Sequence, residues 1–332
     1  SCLCRQPGEE DTLYMGRYLV RRFLFAVVTL LASTIIVFGL SRLAGDPLML
    51  YAKPGGYGMT EQRRADLIKK LGLDRPLAVQ YGVWLGRVLK GDLGQTIVSE
   101  SKVSVLISQR ISPTLQLGSA AFIFAIFLGV PLGILSAVRR GSIWDYAGRT
   151  IALVGQAAPI FWLALMAILL FAVQLRWLPV GTAGPDDIPY LSWGKLKYLV
   201  MPAVALGWGP AAAILRLTRS SMLDVLDAEY ITLARAKGVS SRKVIWKHAF
   251  RNAILQPLTV AALTLAGFIT GAVVIERIFA WPGIGQLTME AVWNNEFPTL
   301  TATVLFLTAI YVVMNLIADI AYVYLNPIIR YD

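Results

Sequence analysis

The most distinctive residues of this sequence form a polar, basic stretch between Glu229 and Pro257. The first ten of them, 229–238, combine one acid and two bases with small alanines and end in a glycine. Alanine favours helix and leaves little bulk, and glycine can take the positive φ that ends a helix sharply. We therefore predict two short helices joined at Gly238. Such a rigid, charged surface suits contact with a partner protein, and the residues expected to make it are Glu229, Ala234, Arg235, Ala236, Lys237 and Gly238.

The rest of the sequence offers little for catalysis or metal binding. His248 is the only histidine, and the only cysteines, Cys2 and Cys4, stand at the extreme N-terminus. A metal centre needs several ligands at suitable spacing. The phosphate-binding pattern Gly-x-x-x-x-Gly-Lys-Ser/Thr is absent from the sequence, so the chain cannot hold ATP through such a loop. We expect no catalytic residue, no metal and no cofactor in this chain.

The composition indicates which elements must position the charged stretch. Hydrophobic residues make up 56% of the chain and charged residues 15%, whereas soluble domains carry about 25% charged residues. The charges are bunched and leave uncharged runs near the ~20 residues that a membrane-spanning helix needs. We predict an all-α, polytopic membrane protein with six transmembrane helices, within residues 23–41, 111–138, 150–175, 198–215, 258–275 and 297–318.

The net charge of +11 has a membrane explanation and does not require nucleic acid as a partner. The basic residues flank the apolar spans instead of forming one soluble face, and short cytoplasmic loops are rich in Lys and Arg. Residues 216–256 hold eight Lys or Arg, whereas residues 280–298 hold none. We therefore predict cytoplasmic termini and a cytoplasmic loop at 216–256. Residues 42–110 hold eleven bases but are expected outside, because long segments translocate largely regardless of charge.

This topology predicts the organisation of the chain. Residues 216–256, which we name the docking loop, lie within a core of five helices. In the outer loop, an amphipathic helix is expected from Pro76 to Gly91, on the membrane surface or against the spans. The predicted segments are a cytoplasmic extension at 1–16, a first transmembrane helix at 17–41, an extracytoplasmic loop at 42–110, the core at 111–325 and a cytoplasmic tail at 326–332.

A few polar residues fall inside or beside the spans. Gln116, Gln156 and Asn315 could line a translocation pathway or form hydrogen bonds between helices, and the second role is the commoner one. At the outer end of the fifth span, a charged residue next to a membrane helix suggests function by default, although a local Glu276–Arg277 ion pair is the simpler explanation. The residues assigned to the sharp outer turn that follows are Glu276, Pro282, Gly283 and Gly285.

Several segments, in this order along about 300 residues, together resemble one family. They are Gly45-Asp46-Pro47, residues 71–76, Tyr81 with Trp84-Leu85, residues 91–94, Arg110 with residues 113–115, the docking loop, residues 276–285 and Asn326-Pro327. The chain is similar to the permease subunits of ATP-binding-cassette (ABC) importers of the dipeptide, oligopeptide and nickel type, and in particular to the first of their two permeases.

The resemblance implies a type I ABC-importer permease fold in a prokaryotic inner membrane. It implies a second, homologous permease that shares the pathway, two ATPase subunits that supply ATP and Mg, an extracytoplasmic substrate-binding protein, and membrane lipid around the spans. The docking loop would contain the coupling helix that sits in a cleft of an ATPase. ATP hydrolysis would then take place in separate subunits.

Other interpretations follow from the same residues. From charge alone, the docking loop could be a solvated basic segment held by lipid phosphates. A secondary transporter would need ionisable groups inside the spans, and a membrane-embedded enzyme would need a nucleophile and base or a metal cluster. Within the importer interpretation, peptides are the leading substrate, with nickel complexes or oligosaccharides as alternatives.

Overall fold

The computed structural model describes residues 9–43, 74–96, 100–185, 192–270 and 272–325, together with positions 62, 65 and 68. Across these residues the regular structure is helical, and the one β pairing is an isolated antiparallel bridge between Gln95 and Lys102. The all-α prediction is therefore confirmed for this part of the chain. The tail at 326–332 and most of the 42–73 segment lie outside the described residues.

The described residues form the following helices, in chain order. Their bounds are α1 Glu9–Leu43, α2 Leu77–Leu89, α3 Val103–Val138, α4 Ile143–Ala157, α5 Ile160–Ala167 continuing as a π-helix Ile168–Gln174, α6 Trp193–Leu226, α7 Glu229–Ala236, α8 Ser241–Lys243 continuing as a π-helix Val244–Ala249, α9 Phe250–Ala253, α10 Leu255–Thr270, α11 Val273–Ile278, α12 Ile284–Trp293 and α13 Phe297–Leu325.

Among the described residues, four helices are long and apolar enough to cross a membrane, namely Val20–Leu40, Val103–Val138, Trp193–Leu226 and Phe297–Ala318. They coincide with the first, second, fourth and sixth predicted windows. The fifth window begins in a shorter apolar helix, Leu255–Leu265. Six complete spans therefore remain a prediction, with four present as single long helices.

The third predicted window, 150–175, differs from a single straight helix. It is split between α4 and α5, which meet at an angle of 108°. Pro159 has no N–H to continue the helix, and it pushes the residue before it toward an extended conformation. Ala158 adopts such a conformation, with φ −78° and ψ 127°. The pair forms either a broken span or a re-entrant loop, and counts as a fifth span in the first case.

The described chain divides into two compact units. One comprises residues 1–107 and 290–320, and the other comprises residues 108–289 and 321–332. In the first unit, the predicted amphipathic helix is confirmed as α2, with Pro76 at its N-terminal boundary. Its Tyr81 and Trp84 rings lie 5.5 Å from the Phe38 ring of α1, measured between centroids. The apolar face of α2 therefore packs on the first apolar helix.

The second unit is built around α6, against which α4, α5 and α10 pack. Its apolar core includes Leu117, Leu206, Ile214 and Phe268, all nearly or fully buried. Small residues let the helices approach closely, as is usual inside membranes. At Gly133 of α3, an added Cβ would lie only 2.6 Å from the Cβ of Thr218 in α6. The end of α3 is thus in backbone contact with the last turns of α6.

Candidate docking surface and supporting clusters

The charged stretch that the sequence singles out forms the predicted turn. Helix α7 ends at Ala236, and Gly238 follows with φ +76°. The amide of Gly238 donates to the carbonyl of Arg235 at 3.0 Å, and the amide of Val239 donates to the carbonyl of Ala234 at 3.2 Å. Ser240, in an extended conformation, precedes α8, although its side chain makes no capping hydrogen bond. Two helices joined at Gly238 are confirmed.

The side chains of this turn are presented to solvent. Ala234 is half-buried, whereas the other five predicted contact residues are exposed: Glu229, Arg235, Ala236, Lys237 and Gly238. Ile231, in the same helix, is completely buried. The structure therefore brings the predicted contact residues together on one exposed surface that is anchored from below. Their role in docking stays a prediction.

The anchor below the turn is a small apolar cluster of its own. Ile231 packs there with residues of four other elements, and the buried members are Ile134, Ala137, Met222, Ile231, Val244, Ala249 and Ala253. These residues come from α3, α6, α7, the π-helix Val244–Ala249 and α9. A second link crosses the turn, where Asn252 donates to the hydroxyl of Tyr230 at 3.0 Å and to the carbonyl of His248 at 3.1 Å. The turn is thus fixed to the ends of α3 and α6.

Beside the turn lies a basic and aromatic patch that the sequence did not single out. Arg242, Lys243, Trp246 and Lys247 are exposed and line an open pocket of about 370 Å³. The Trp246 ring packs edge-on against Phe250, with centroids 5.4 Å apart. Residues at positions i, i+1, i+4 and i+5 share one face of a helix. The spacing of these four residues in the sequence is therefore the signal from which the patch could have been predicted. The patch extends the exposed cationic surface beyond Lys237.

A buried acid joins three elements in the second unit. Asp145, in the first turn of α4, is completely buried. It accepts hydrogen bonds from the Ser136 hydroxyl at 2.6 Å and from the Gly141 amide at 3.0 Å. Arg219 of α6 donates to both carboxylate oxygens, from Nε at 2.6 Å and from Nη2 at 3.0 Å. Arg149 donates to the same two oxygens at 3.3 and 2.9 Å. We name these five residues the Asp145 cluster.

Sequence reasoning did not identify the Asp145 cluster. The sequence analysis includes Arg219 only as one of the eight bases in residues 216–256, and it gives no role to Asp145 or Arg149. A signal was present, because Asp145 is the single acid in the basic connection 139–149. Its main partner, however, lies 74 residues further along the chain. A pairing at that separation cannot be inferred from local spacing.

Glu276 forms a second buried cluster with the start of α3. The Thr114 hydroxyl donates to Glu276 Oε1 at 2.8 Å, and the Gln286 amide donates to Oε2 at 3.0 Å. Thr114 in turn accepts from the Ile284 amide at 2.8 Å. The expected local ion pair with Arg277 is wrong, because Glu276 is fully buried on these partners while Arg277 is exposed. We name Thr114, Glu276, Ile284 and Gln286 the Glu276 cluster.

The turn after Glu276 is built tightly over its carboxylate. A Cβ placed at Gly283 would lie 2.1–2.4 Å from the carboxylate atoms, and one at Gly285 would lie 2.9 Å from Oε2. Pro282 directly follows Trp281, whose indole donates to the carbonyl of Pro113 at 2.8 Å. The four residues assigned to this turn are therefore brought together. Both glycines are required because no side chain fits between the turn and the acid.

The three residues predicted to line a pathway are on three different helices. Gln116 is half-buried on α3 and donates to Ser112 of the same helix at 3.0 Å, one turn earlier. Gln156 is exposed on α4, and Asn315 is half-buried on α13 in the other unit. The hydrogen bond of Gln116 is thus within its helix instead of between helices. Lining of a pathway by these residues stays a prediction.

Comparisons with known proteins agree on one family. Residues 129–331 match the family described as "Binding-protein-dependent transport system inner membrane component", and residues 15–117 match the N-terminal region of such membrane components. A putative peptide permease protein of Brucella suis is 41% identical over 322 residues, covering 95% of this chain and 99% of that protein. The oligopeptide transport system permease protein AppB of Bacillus subtilis is 38% identical, covering 96% and 100%.

Two further similarities extend the comparison. The dipeptide transport system permease protein DppB of Escherichia coli K12 is 36% identical, covering 96% of this chain and 99% of that protein. Among solved structures, the inward-facing methionine ABC transporter MetNI matches with a TM-score of 0.53 and 21% identity, covering 66% of this chain and 96% of the matched chain. This match supports the predicted type I permease fold. The chain therefore belongs to the family of binding-protein-dependent transport system inner membrane components.

Proposed function

We propose that this chain is the membrane permease subunit of an ATP-driven peptide importer. The observation that carries the proposal is the exposed turn at Gly238, anchored on α3 and α6, in a chain whose relatives over 95–96% of its length are named peptide, oligopeptide and dipeptide permeases. The chain forms half of the translocation pathway. A second permease of the same family forms the other half.

The docking loop receives work from ATPase subunits in this proposal. Two ATPases bind ATP and Mg, and each accepts one coupling helix, which in this chain is α7 with the turn that follows. Glu229, Arg235 and Lys237 make the polar contacts, because their side chains are exposed whereas Ile231 of the same helix is buried. Since the same apolar cluster contains residues of α3 and α6, displacement of α7 moves the ends of both helices.

The orientation of the chain in the proposed importer follows from the predicted topology. The chain lies in the inner membrane with both termini in the cytoplasm, so the 276–285 turn faces the opposite side. An extracytoplasmic binding protein delivers substrate there. The pathway opens outward when the ATPases close and is reset after hydrolysis.

The substrate class is the part of the proposal that depends on the relatives' names. Peptides are favoured over nickel complexes or oligosaccharides because the three most informative relatives are named for peptide transport. A secondary transporter is disfavoured, because an anchored and exposed charged turn would have no role in it.

The experiment is reconstitution of this chain with its second permease, ATPase subunits and binding protein in proteoliposomes. Uptake of a radiolabelled dipeptide is measured with internal ATP, with the non-hydrolysable analogue, and without the binding protein. We expect uptake only with ATP and binding protein together. Uptake driven by an ion gradient in the absence of the ATPases would refute the proposal. Uptake of a nickel complex or an oligosaccharide, with no uptake of any peptide tested, would refute the substrate class alone.

A further inference from the structure

Two links join the α3–α4 turn to the last turns of α6. One is the buried Asp145 cluster. The other is an ion pair between Arg140 and Asp227, whose charged atoms are 3.5 Å apart and whose side chains are 66% and 72% exposed. Exposed ion pairs of this kind contribute little to folding stability, because water screens the charges and the side chains lose conformational freedom. The same two segments thus offer a buried contact and a matched exposed control.

The buried link fixes direction as well as distance. Two parallel hydrogen bonds from a planar guanidinium set the orientation of both groups, which a single bond does not. Arg219 makes such a pair of bonds, and its side chain is 18% exposed. Arg149 also bonds both oxygens, but it lies on the same helix as Asp145 and is 48% exposed. Of the two arginines, only Arg219 therefore connects different helices through Asp145.

Arg219 is placed where its position matters for the docking loop. It lies seven residues before the end of α6 at Leu226, and α7 begins at Glu229. With a rise of about 1.5 Å per residue, the end of the helix is roughly 10 Å away. A helix is stiff over that length, so the orientation of Arg219 is carried to the start of α7.

We infer that Asp145 is a positioning residue for coupling, holding the end of α6, and with it α7, in one place relative to the α3–α4 turn through Arg219. A buried ion pair adds little net stability compared with apolar packing, but removing one partner leaves a buried charge unpaired. The pair therefore specifies one arrangement of α3, α4 and α6. Movement of α7 is passed to α3 and α4 through this contact.

The first test measures position and does not depend on transport. Arg140→Cys and Asp227→Cys are introduced together in a chain carrying Cys2→Ser and Cys4→Ser, and the assembled complex is treated with a short bifunctional thiol reagent. Adding Arg219→Gln should lower the crosslinking yield about tenfold, which corresponds to ~1.4 kcal/mol in the positional equilibrium. Adding Arg149→Gln should lower it less, because Arg149 does not bridge two helices. An unchanged yield with Arg219→Gln would overturn the inference.

The second test measures coupling and rests on the proposed function. The number of ATP molecules hydrolysed per peptide imported is compared for equal amounts of assembled complex. Asp145→Asn and Arg219→Gln should raise this ratio several-fold, whereas Arg140→Gln, at the exposed pair, should leave it unchanged. A merely structural role would lower the amount of complex and leave the ratio at its wild-type value, which would contradict the inference.

A further variant keeps the second test possible if Asp145→Asn prevents assembly of the complex. If Asp145→Asn does not accumulate, Arg219→Lys keeps the charge but gives up the paired hydrogen bonds, and it should still raise the ratio. An unchanged ratio in both Arg219 variants would overturn the inference. A wild-type complex that imports no peptide would instead refute the proposed function, while the crosslinking yield would still decide the role of Asp145 in positioning.

Discussion

Replacing Gly238 by valine should uncouple ATP hydrolysis from transport while leaving the protein in the membrane. Gly238 has φ +76°, a conformation that a β-branched residue strongly disfavours. No atom lies within 4 Å of the position that a Cβ would take, so the cost is backbone strain and not collision. That strain is roughly 1–3 kcal/mol, which corresponds to a shift of about 5- to 150-fold in a local equilibrium.

The strain would be relieved by changing the turn between α7 and α8, because that is where the conformation is imposed. The apolar helices lie elsewhere, so insertion should persist. Gly238→Asn is the matched control, since asparagine tolerates positive φ better than other side chains. Co-purification with the ATPases, substrate-stimulated ATP hydrolysis and peptide uptake are measured in proteoliposomes. If Gly238→Val keeps both hydrolysis and uptake at wild-type levels, the turn is not the coupling element.

Three further predictions concern topology, contact and packing. In a chain without its native cysteines, an impermeant thiol reagent applied to intact cells should label Ser101→Cys and not Ser241→Cys, and the reverse pattern would invert the orientation. Reversing the charges of Arg235 and Lys237 should weaken ATPase co-purification, most strongly at low salt because salt screens exposed charges; equal binding at all salt concentrations would exclude a charged contact. Gly283→Ala should lower the thermal unfolding temperature, since overpacking a tight site costs about 1–3 kcal/mol; an unchanged temperature would show that the turn can move off the buried carboxylate.

Local features of the site could be predicted from the sequence because they depend on neighbouring residues. The turn at Gly238 is specified by alanines before it and a glycine at the point of reversal, and the structure has that turn. The importance of Glu276 was also visible, as a charge beside a span. Its partner was not, because Thr114 is 162 residues away. In the sequence, Arg277 is the opposite charge nearest to Glu276. In the folded chain, Glu276 is buried and accepts hydrogen bonds from other donors.

The bend in the third predicted window shows a different limit. Pro113 and Pro131 lie inside the continuous helix α3, whereas Pro159 lies in the break between α4 and α5. Membrane helices tolerate proline when neighbouring groups satisfy the freed carbonyl. Whether such neighbours exist is decided by packing, so the same residue type gives a continuous helix in one place and a 108° bend in another.

The two arginines on Asp145 also bear on how the chain is made. Synthesis releases Asp145 four residues before Arg149 but 74 residues before Arg219. At about 5–20 residues per second, the ribosome needs roughly 4–15 s to reach the second arginine. During that interval Arg149, one helical turn away, is the guanidinium available to neutralise the acid. Asp145 therefore has a local partner before α6 is made, and the arrival of α6 adds a link between helices while Arg149 keeps its bonds to both oxygens.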